Sequence, residues 1–180
     1  MIFETLSRET IYRGHAFSVR RDEVRTPDQH ITHLDIIEHV GAVTLVPVDG
    51  EGRILFVRQY RHATGRELLE LPAGTLNANE PPESCALREI REETGFAAGN
   101  IVKIGEFFLA PGYSTEYMVI YLATELTTDP LPRDQDEFIT LQPIPVDEAY
   151  TMAVNGELMD GKSLAALLLA RPFLQRHQPK

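Results

Sequence analysis

Residues 74–96 read GTLNANEPPESCALREIREETGF, and they describe one short helix with both ends marked. Pro81 and Pro82 suit a first helical turn, where the missing N–H costs nothing, and Gly95 suits the position just past the last turn. At about 100° per residue, Ala86, Leu87, Ile90 and Thr94 gather on one arc and are expected to face a core. Glu89, Glu92 and Glu93 fall on a neighbouring arc roughly 100° wide. As a plain helix this is unfavourable. Glu89 and Glu93 are like charges at i,i+4, which costs roughly 0.2–0.5 kcal/mol. Glu92 and Glu93 also stand at the negative end of the helix dipole.

A solvated acidic face is the ordinary reading of such a cluster. Here the helix is short, and the acids border its apolar side instead of opposing it. Three carboxylates beside a core are consistent with a hard divalent cation, which favours oxygen donors and keeps waters and substrate phosphates as its remaining ligands.

The order of residues carries a resemblance. Gly74, Glu80, and the run Arg88-Glu89-Ile90-x-Glu92-Glu93-x-Gly95-Phe96 resemble the Nudix box, GX5EX7REUXEEXGU, with U a bulky aliphatic. Every fixed position matches, and the one departure, Phe96 at the last U, is conservative. The resemblance implies an α/β fold, the Nudix α/β/α sandwich with a mixed sheet, and metal-dependent cleavage of a nucleoside diphosphate joined to another group. It further implies that Glu89 and Glu93 bind metal directly and that Glu92 binds or organises a further ion. The Ala73 carbonyl adds another oxygen, and Arg88 and Glu80 brace loop and helix. Glu92 and Arg88 thereby count among the catalytic groups. The implied cofactor is Mg²⁺, with Mn²⁺ as the alternative, at two or more ions per site.

The whole chain sets wider bounds. Its 180 residues amount to about one domain, 43% hydrophobic and 24% charged, with a formal charge of −10. That charge argues against nucleic acid as a partner, since no basic surplus is present to displace phosphate counterions. It leaves a small anionic substrate open, because a bound cation inverts the local potential. The single cysteine, Cys85, excludes an intrachain disulfide and reads as a small buried hydrophobe in the box helix. No basic leader followed by an apolar core opens the chain, and no apolar run is long enough for a membrane span. The expected compartment is the cytoplasm.

Residues 1–40 carry alternating segments at 17–20 and 33–38 with a turn around Thr26-Pro27-Asp28, read as antiparallel strands. A sheet this small is marginal alone. The layout is similar to ADP-ribose-cleaving Nudix enzymes, whose N-terminal β region is exchanged across a homodimer. The expected division is therefore 1–40 as a dimerisation region and 41–180 as the hydrolase domain. His15, His30, His33 and His39 lack metal-ligand spacing and read as surface or interface residues.

Strands are expected at 42–48 and 53–59, joined by the hairpin signal Asp49-Gly50-Glu51-Gly52. Arg58, Arg61 and Arg66 are read as a cluster after the second of these strands. They are either a charged surface loop or phosphate ligands, for which a guanidinium fork suits pyrophosphate oxygens. Arg61 is favoured because VRQYR resembles the segment supplying a substrate arginine in these enzymes. A short strand at 67–71 leads into the box.

Further strands are expected at 101–109 and 117–124, flanking the loop APGYSTE at 110–116. Pro-Gly marks a turn. Pro111 follows Phe96 by 15 residues (111 − 96), a proline spacing similar to that of the ADP-ribose pyrophosphatase branch. The loop also resembles that branch's SPG-x-x-x-E, with Ala110 in place of Ser. The resemblance implies Glu116 as general base, or as the group placing the attacking water, acting from a mobile loop.

A Pro- and Asp-rich loop at 128–136, a strand at 138–141 and helices at 146–155 and 163–169 complete the chain. Between the helices, GELMDGKS at 156–163 matches the phosphate-loop pattern GxxxxGK followed by Ser or Thr. A phosphate loop needs a buried strand before it. Here a helical segment precedes, so the match is read as accidental and Ser163 as the N-cap of the last helix. The activity implied is hydrolysis of ADP-ribose to AMP and ribose 5-phosphate, with GDP-mannose or another nucleotide sugar as the alternative substrate. A sensor that binds nucleotides without turnover is the rival class. Such modules lose box carboxylates, and none is lost here.

Overall fold

The computed structural model describes residues 2–132 and 138–174. Part of the loop expected at 128–136 therefore lies outside the described residues. Two compact units are present, one of residues 1–41 with 107–118 and the other of residues 42–106 with 119–180.

In the first unit, β1 (Glu4–Arg13), β2 (Ser18–Arg25) and β3 (Ile31–Glu38) form an antiparallel meander. Register runs from Glu4↔Arg25 to Arg13↔Ser18 and from Ser18↔Glu38 to Arg25↔Ile31. The turn falls where Thr-Pro-Asp was noted, with the Thr26 amide donating to the His30 carbonyl at 2.9 Å. The β1 strand carries no regular alternation of apolar and polar residues and is exposed at all but one position, so no strand pattern marks it in the sequence. Cross-strand ion pairs such as Arg21–Asp35 at 2.7 Å and Arg25–Glu4 at 2.6 Å hold the sheet. Asp22 is buried under Arg20, 2.9 Å away.

The second unit is built on β4 (Ala42–Pro47), which is buried at every position. That pattern marks a strand covered on both faces, and α1 (Pro82–Glu89) and α3 (Gly161–Leu174) both pack on it. One sheet orders β7 (Ala73–Thr75), β4, β9 (Tyr117–Thr128) and β8 (Phe96–Phe108). A second sheet orders β10 (Ile139–Pro145), β5 (Arg53–Arg61) and β6 (Arg66–Glu70). The helix α2 (Val146–Asn155) lies on β5 and β10. Val43, Leu45, Ile54, Phe56, Ile90, Ile120 and Leu167 fill the core. Among the described residues, no helix is long and apolar enough to cross a membrane.

Two expectations are corrected here. The box helix does not stay α-helical to its end, because Ile90–Thr94 form a π-helical turn before Gly95 closes it at φ 80°. Thr94 contributes to the change by bonding its own hydroxyl back to the Ile90 carbonyl. The second correction concerns the start of α3, where Asp160, not Ser163, is the cap. The Asp160 carboxylate accepts the Ser163 amide at 3.0 Å, and the helix begins at Gly161.

Candidate active site

The box helix is rotated from its expected setting. Leu87 is 37% exposed, whereas Cys85, Ala86, Ile90 and Thr94 are buried, and Glu89 and Glu93 go in with them at 7% and 3%. The inward face therefore straddles the boundary between the acidic and apolar arcs. Burying carboxylates is costly unless they are paired or coordinate a cation.

Arg88 is the hub of this corner. Its Nε and Nη2 each donate to Glu80 at 3.0 Å, and its Nη1 donates to Glu89 at 2.6 Å and Glu92 at 2.8 Å. These pairs raise the guanidinium well above its ordinary value. The reciprocal effect holds Glu80 down to about 2, first through Arg88, which outweighs the opposing effect of burial, and further through the Asn77 amide. Glu80 thus ties the loop before the helix to the helix itself.

Glu93 turns the other way and accepts the Ala73 amide at 3.1 Å. Ala73 opens β7 and lies opposite Thr44 of β4. Next to it, Gly74 has the Glu89 carboxylate packed where a side chain would be, since a Cβ there would lie 1.8 Å from Glu89 Oε1. Cys85 sits behind, its Sγ 3.6 Å from the Thr75 carbonyl, and burial followed by the charge of Glu89 pushes the thiol up to about 12. It is no nucleophile.

Glu89, Glu92, Glu93 and the start of β7 are thus brought into one corner. Among the described residues, no three His, Cys, Asp or Glu side chains are grouped so as to hold a metal ion by themselves. A partial set of hard oxygens beside a cradle that lacks a Cβ still fits a cation that keeps waters and phosphate oxygens as ligands.

The three arginines are not one cluster after a strand. Arg58 and Arg61 both belong to β5, and a separation of three residues puts them on opposite faces. Arg58 donates to Gln142 of β10 at 2.6 Å. Arg61 faces Arg66 across the β5–β6 register and forks onto Glu70 through Nε at 2.8 Å and Nη2 at 2.7 Å. Burial pushes the Glu70 carboxyl up, but Arg61 and Lys162 outweigh it and hold the group below its ordinary value.

Asp160, Lys162 and Ser163 belong to the stretch that matches the phosphate-loop pattern. The structure places α2 before that stretch and the Lys162 ammonium on Glu70 and Asp160. No local pattern reveals a partner 92 residues away.

Glu116 belongs to the first unit. Its loop is not loose: the Tyr113 carbonyl accepts the Ile37 amide at 2.8 Å, Thr115 donates to the Ile37 carbonyl at 2.9 Å, and the Thr115 hydroxyl bonds both backbone groups of His39. The end of β3 uses this loop as its hydrogen-bonding partner. The Glu116 amide meets Ser114 Oγ at 3.1 Å, and its carbonyl accepts the Leu109 amide at 3.0 Å.

The chain is similar to known proteins in sequence and in fold. The NUDIX domain matches residues 38–167, and the nucleoside diphosphate sugar hydrolase N-terminal domain matches residues 3–32. An ADP-ribose pyrophosphatase of Mycobacterium tuberculosis is 41% identical over 169 residues, covering 92% of this chain and 82% of that protein. An ADP-ribose pyrophosphatase of Bacillus subtilis is 34% identical over 166 residues, covering 91% and 90%. The crystal structure of an ADP compounds hydrolase superposes with a TM-score of 0.87 at 23% identity, over 98% of this chain and 96% of that one, and so shares its fold. With the box intact and its acids turned inward on an α/β frame, the chain belongs to the Nudix family, as a Nudix pyrophosphohydrolase.

Proposed function

We propose that the chain hydrolyses the pyrophosphate bond of ADP-ribose to AMP and ribose 5-phosphate. The observation carrying this reading is the pair of buried carboxylates, Glu89 and Glu93, set against Gly74 and Ala73. The similarity to ADP-ribose pyrophosphatases along nine-tenths of the chain supports the substrate.

In this reading Glu89, Glu92, Glu93 and the Ala73 carbonyl hold two or more Mg²⁺ ions, with Mn²⁺ as a substitute. Bound there, such cations would neutralise pyrophosphate charge and so ease attack by water. Arg88 and Glu80 keep the carboxylates aimed. Arg61 has its Nε and Nη2 on Glu70, which orients the guanidinium and gives its Nη1 edge to a phosphate oxygen. Arg66, opposite it in register, and Arg58 on the other face are the further candidate contacts. Glu116 takes the proton of the attacking water.

The first 40 residues serve as the dimerisation region and residues 41–180 as the hydrolase domain. Ile2, Phe3, Ile11, Tyr12, Ile31 and Val40 are exposed apolar residues of that first region, consistent with a second copy covering them. A light-scattering mass of one chain at micromolar concentration, with full activity, removes the dimer.

The deciding experiment is a panel of ADP-ribose, GDP-mannose and other nucleoside diphosphate sugars, assayed with Mg²⁺ and with EDTA, with products resolved by chromatography. ADP-ribose is expected to show the highest kcat/KM, to yield AMP, and to be untouched in EDTA. A tenfold preference for GDP-mannose replaces the substrate, and turnover in EDTA removes the metal.

A further inference from the structure

The link from β6 to β7, residues 70–73, is anchored at every residue. Glu70, 2% exposed, takes the Arg61 fork and the Lys162 ammonium. The Leu71 amide donates to Ser163 Oγ at 2.7 Å, the Pro72 carbonyl accepts the Leu45 amide at 2.8 Å, and the Ala73 amide meets Glu93. Two of these anchors, Lys162 and Ser163, come from the first turn of α3. We infer that Lys162 and Ser163 are positioning residues for the segment that carries Ala73, and so set how tightly the box holds its divalent cation. This rests on the metal reading above.

The geometry separates this role from ordinary helix capping. Asp160 caps α3 through the Ser163 amide, and the Ser163 hydroxyl and the Lys162 ammonium each bond Asp160 while reaching beyond the helix to Leu71 and Glu70. The Ser163 hydroxyl donates to Asp160 Oδ2 at 2.5 Å, which turns a lone pair towards Leu71, and the side chain is fully buried. Lys162, with its side chain 11% exposed, bridges Asp160 at 2.9 Å to Glu70. Between Leu71 and Ala73 stands only Pro72, whose φ is fixed by its ring, so a shift at Leu71 passes to Ala73 with little slack. Glu70 also orients Arg61, so one clamp serves both the Ala73 end and the arginine. The glycine-lysine-serine sequence at 161–163 thus works on a carboxylate and a backbone amide instead of a phosphate.

The test is Mn²⁺ binding to the full chain without substrate, titrated by electron paramagnetic resonance, with melting temperatures recorded alongside. Ser163→Ala and Lys162→Met are expected to weaken Mn²⁺ by about tenfold or more, the usual effect of losing a group that orients a ligand. Tyr150→Phe is the control. It removes the 2.7 Å bond from Tyr150 to the Leu167 carbonyl, loosening α2 against α3 without touching residues 70–73, and should bind Mn²⁺ like the parent. Mn²⁺ affinity within twofold of the parent in both test variants overturns the inference, as does equal weakening in all three. A parent chain that binds no Mn²⁺ is a different failure, since it removes the metal reading and the inference with it.

Discussion

Gly74 and Glu89 share one space: a Cβ on residue 74 would lie 1.8 Å from both Cδ and Oε1 of Glu89 and 2.4 Å from its Cγ. Gly74 does not have a left-handed backbone, so its role is room and not conformational freedom. The colliding atoms are the outer part of a side chain, which relieves the clash by swinging away. Gly74→Ala is therefore expected to keep the fold at a cost of about 1–3 kcal/mol, the usual range for crowding a packed site. It moves a proposed ligand by more than an ångström, and misplacement on that scale costs on the order of 10²-fold in rate. Steady-state kcat/KM beside a thermal melt checks both halves. Retention of a third of the activity shows that the Glu89 position is immaterial.

The Glu80–Arg88 brace gives a pH signature. Glu80 is held at about 2 against an ordinary 4.5, so the folded state binds its proton less readily than the unfolded state. The stabilisation is full above pH 4.5 and is lost as pH falls through about 2. With water screening part of the pair, it amounts to about 1–3 kcal/mol. Glu80→Gln should lower the melting temperature at pH 6 and flatten its fall between pH 5 and pH 2. A variant whose melting curve runs parallel to the parent over that range shows the pair to be energetically silent.

What was legible in the sequence was local chemistry. The ends of the box helix follow from Pro81, Pro82 and Gly95, and the hairpin at 26–30 from its Thr-Pro-Asp turn. The rotation of the helix was not legible. Leu87 and Cys85 are both apolar, and which one goes inside depends on β4 and β7, not on the helix's own periodicity. Arg61 was singled out, but its tie to Glu70 was invisible, because Glu70 reads as an ordinary polar residue at a strand end. The anchoring of Leu71 by Ser163 was equally hidden, since their approach depends on how α3 packs against β4.

Cys85 is expected to be inert in the folded chain. Its thiol is buried and pushed up to about 12, so at pH 8 the thiolate fraction is about 10⁻⁴, against roughly a quarter for a free cysteine at 8.5. Reaction with a disulfide reagent should be slower than for the unfolded chain by at least about 10³-fold. Release of one thiol equivalent within seconds under native conditions contradicts the packing of the box helix described here.

Glu116 is the most exposed of the proposed assignments, and the structure sharpens its test. The loop carrying it is stitched to residues 37 and 39 by main-chain and threonine hydrogen bonds, so the carboxylate hangs from a fixed backbone. A base held this way acts in the chemical step without waiting for a loop to order. General-base catalysis contributes about 10²–10⁴-fold. Glu116→Gln keeps the side chain's size and one carbonyl oxygen but no longer takes a proton at neutral pH. It should lower kcat by that factor and leave KM near the parent value, since only transition-state stabilisation is lost. A loss below tenfold removes Glu116 as base. A rise in KM larger than the fall in kcat reassigns it to holding substrate or cation, and neither result disturbs the inward-turned carboxylates of the box.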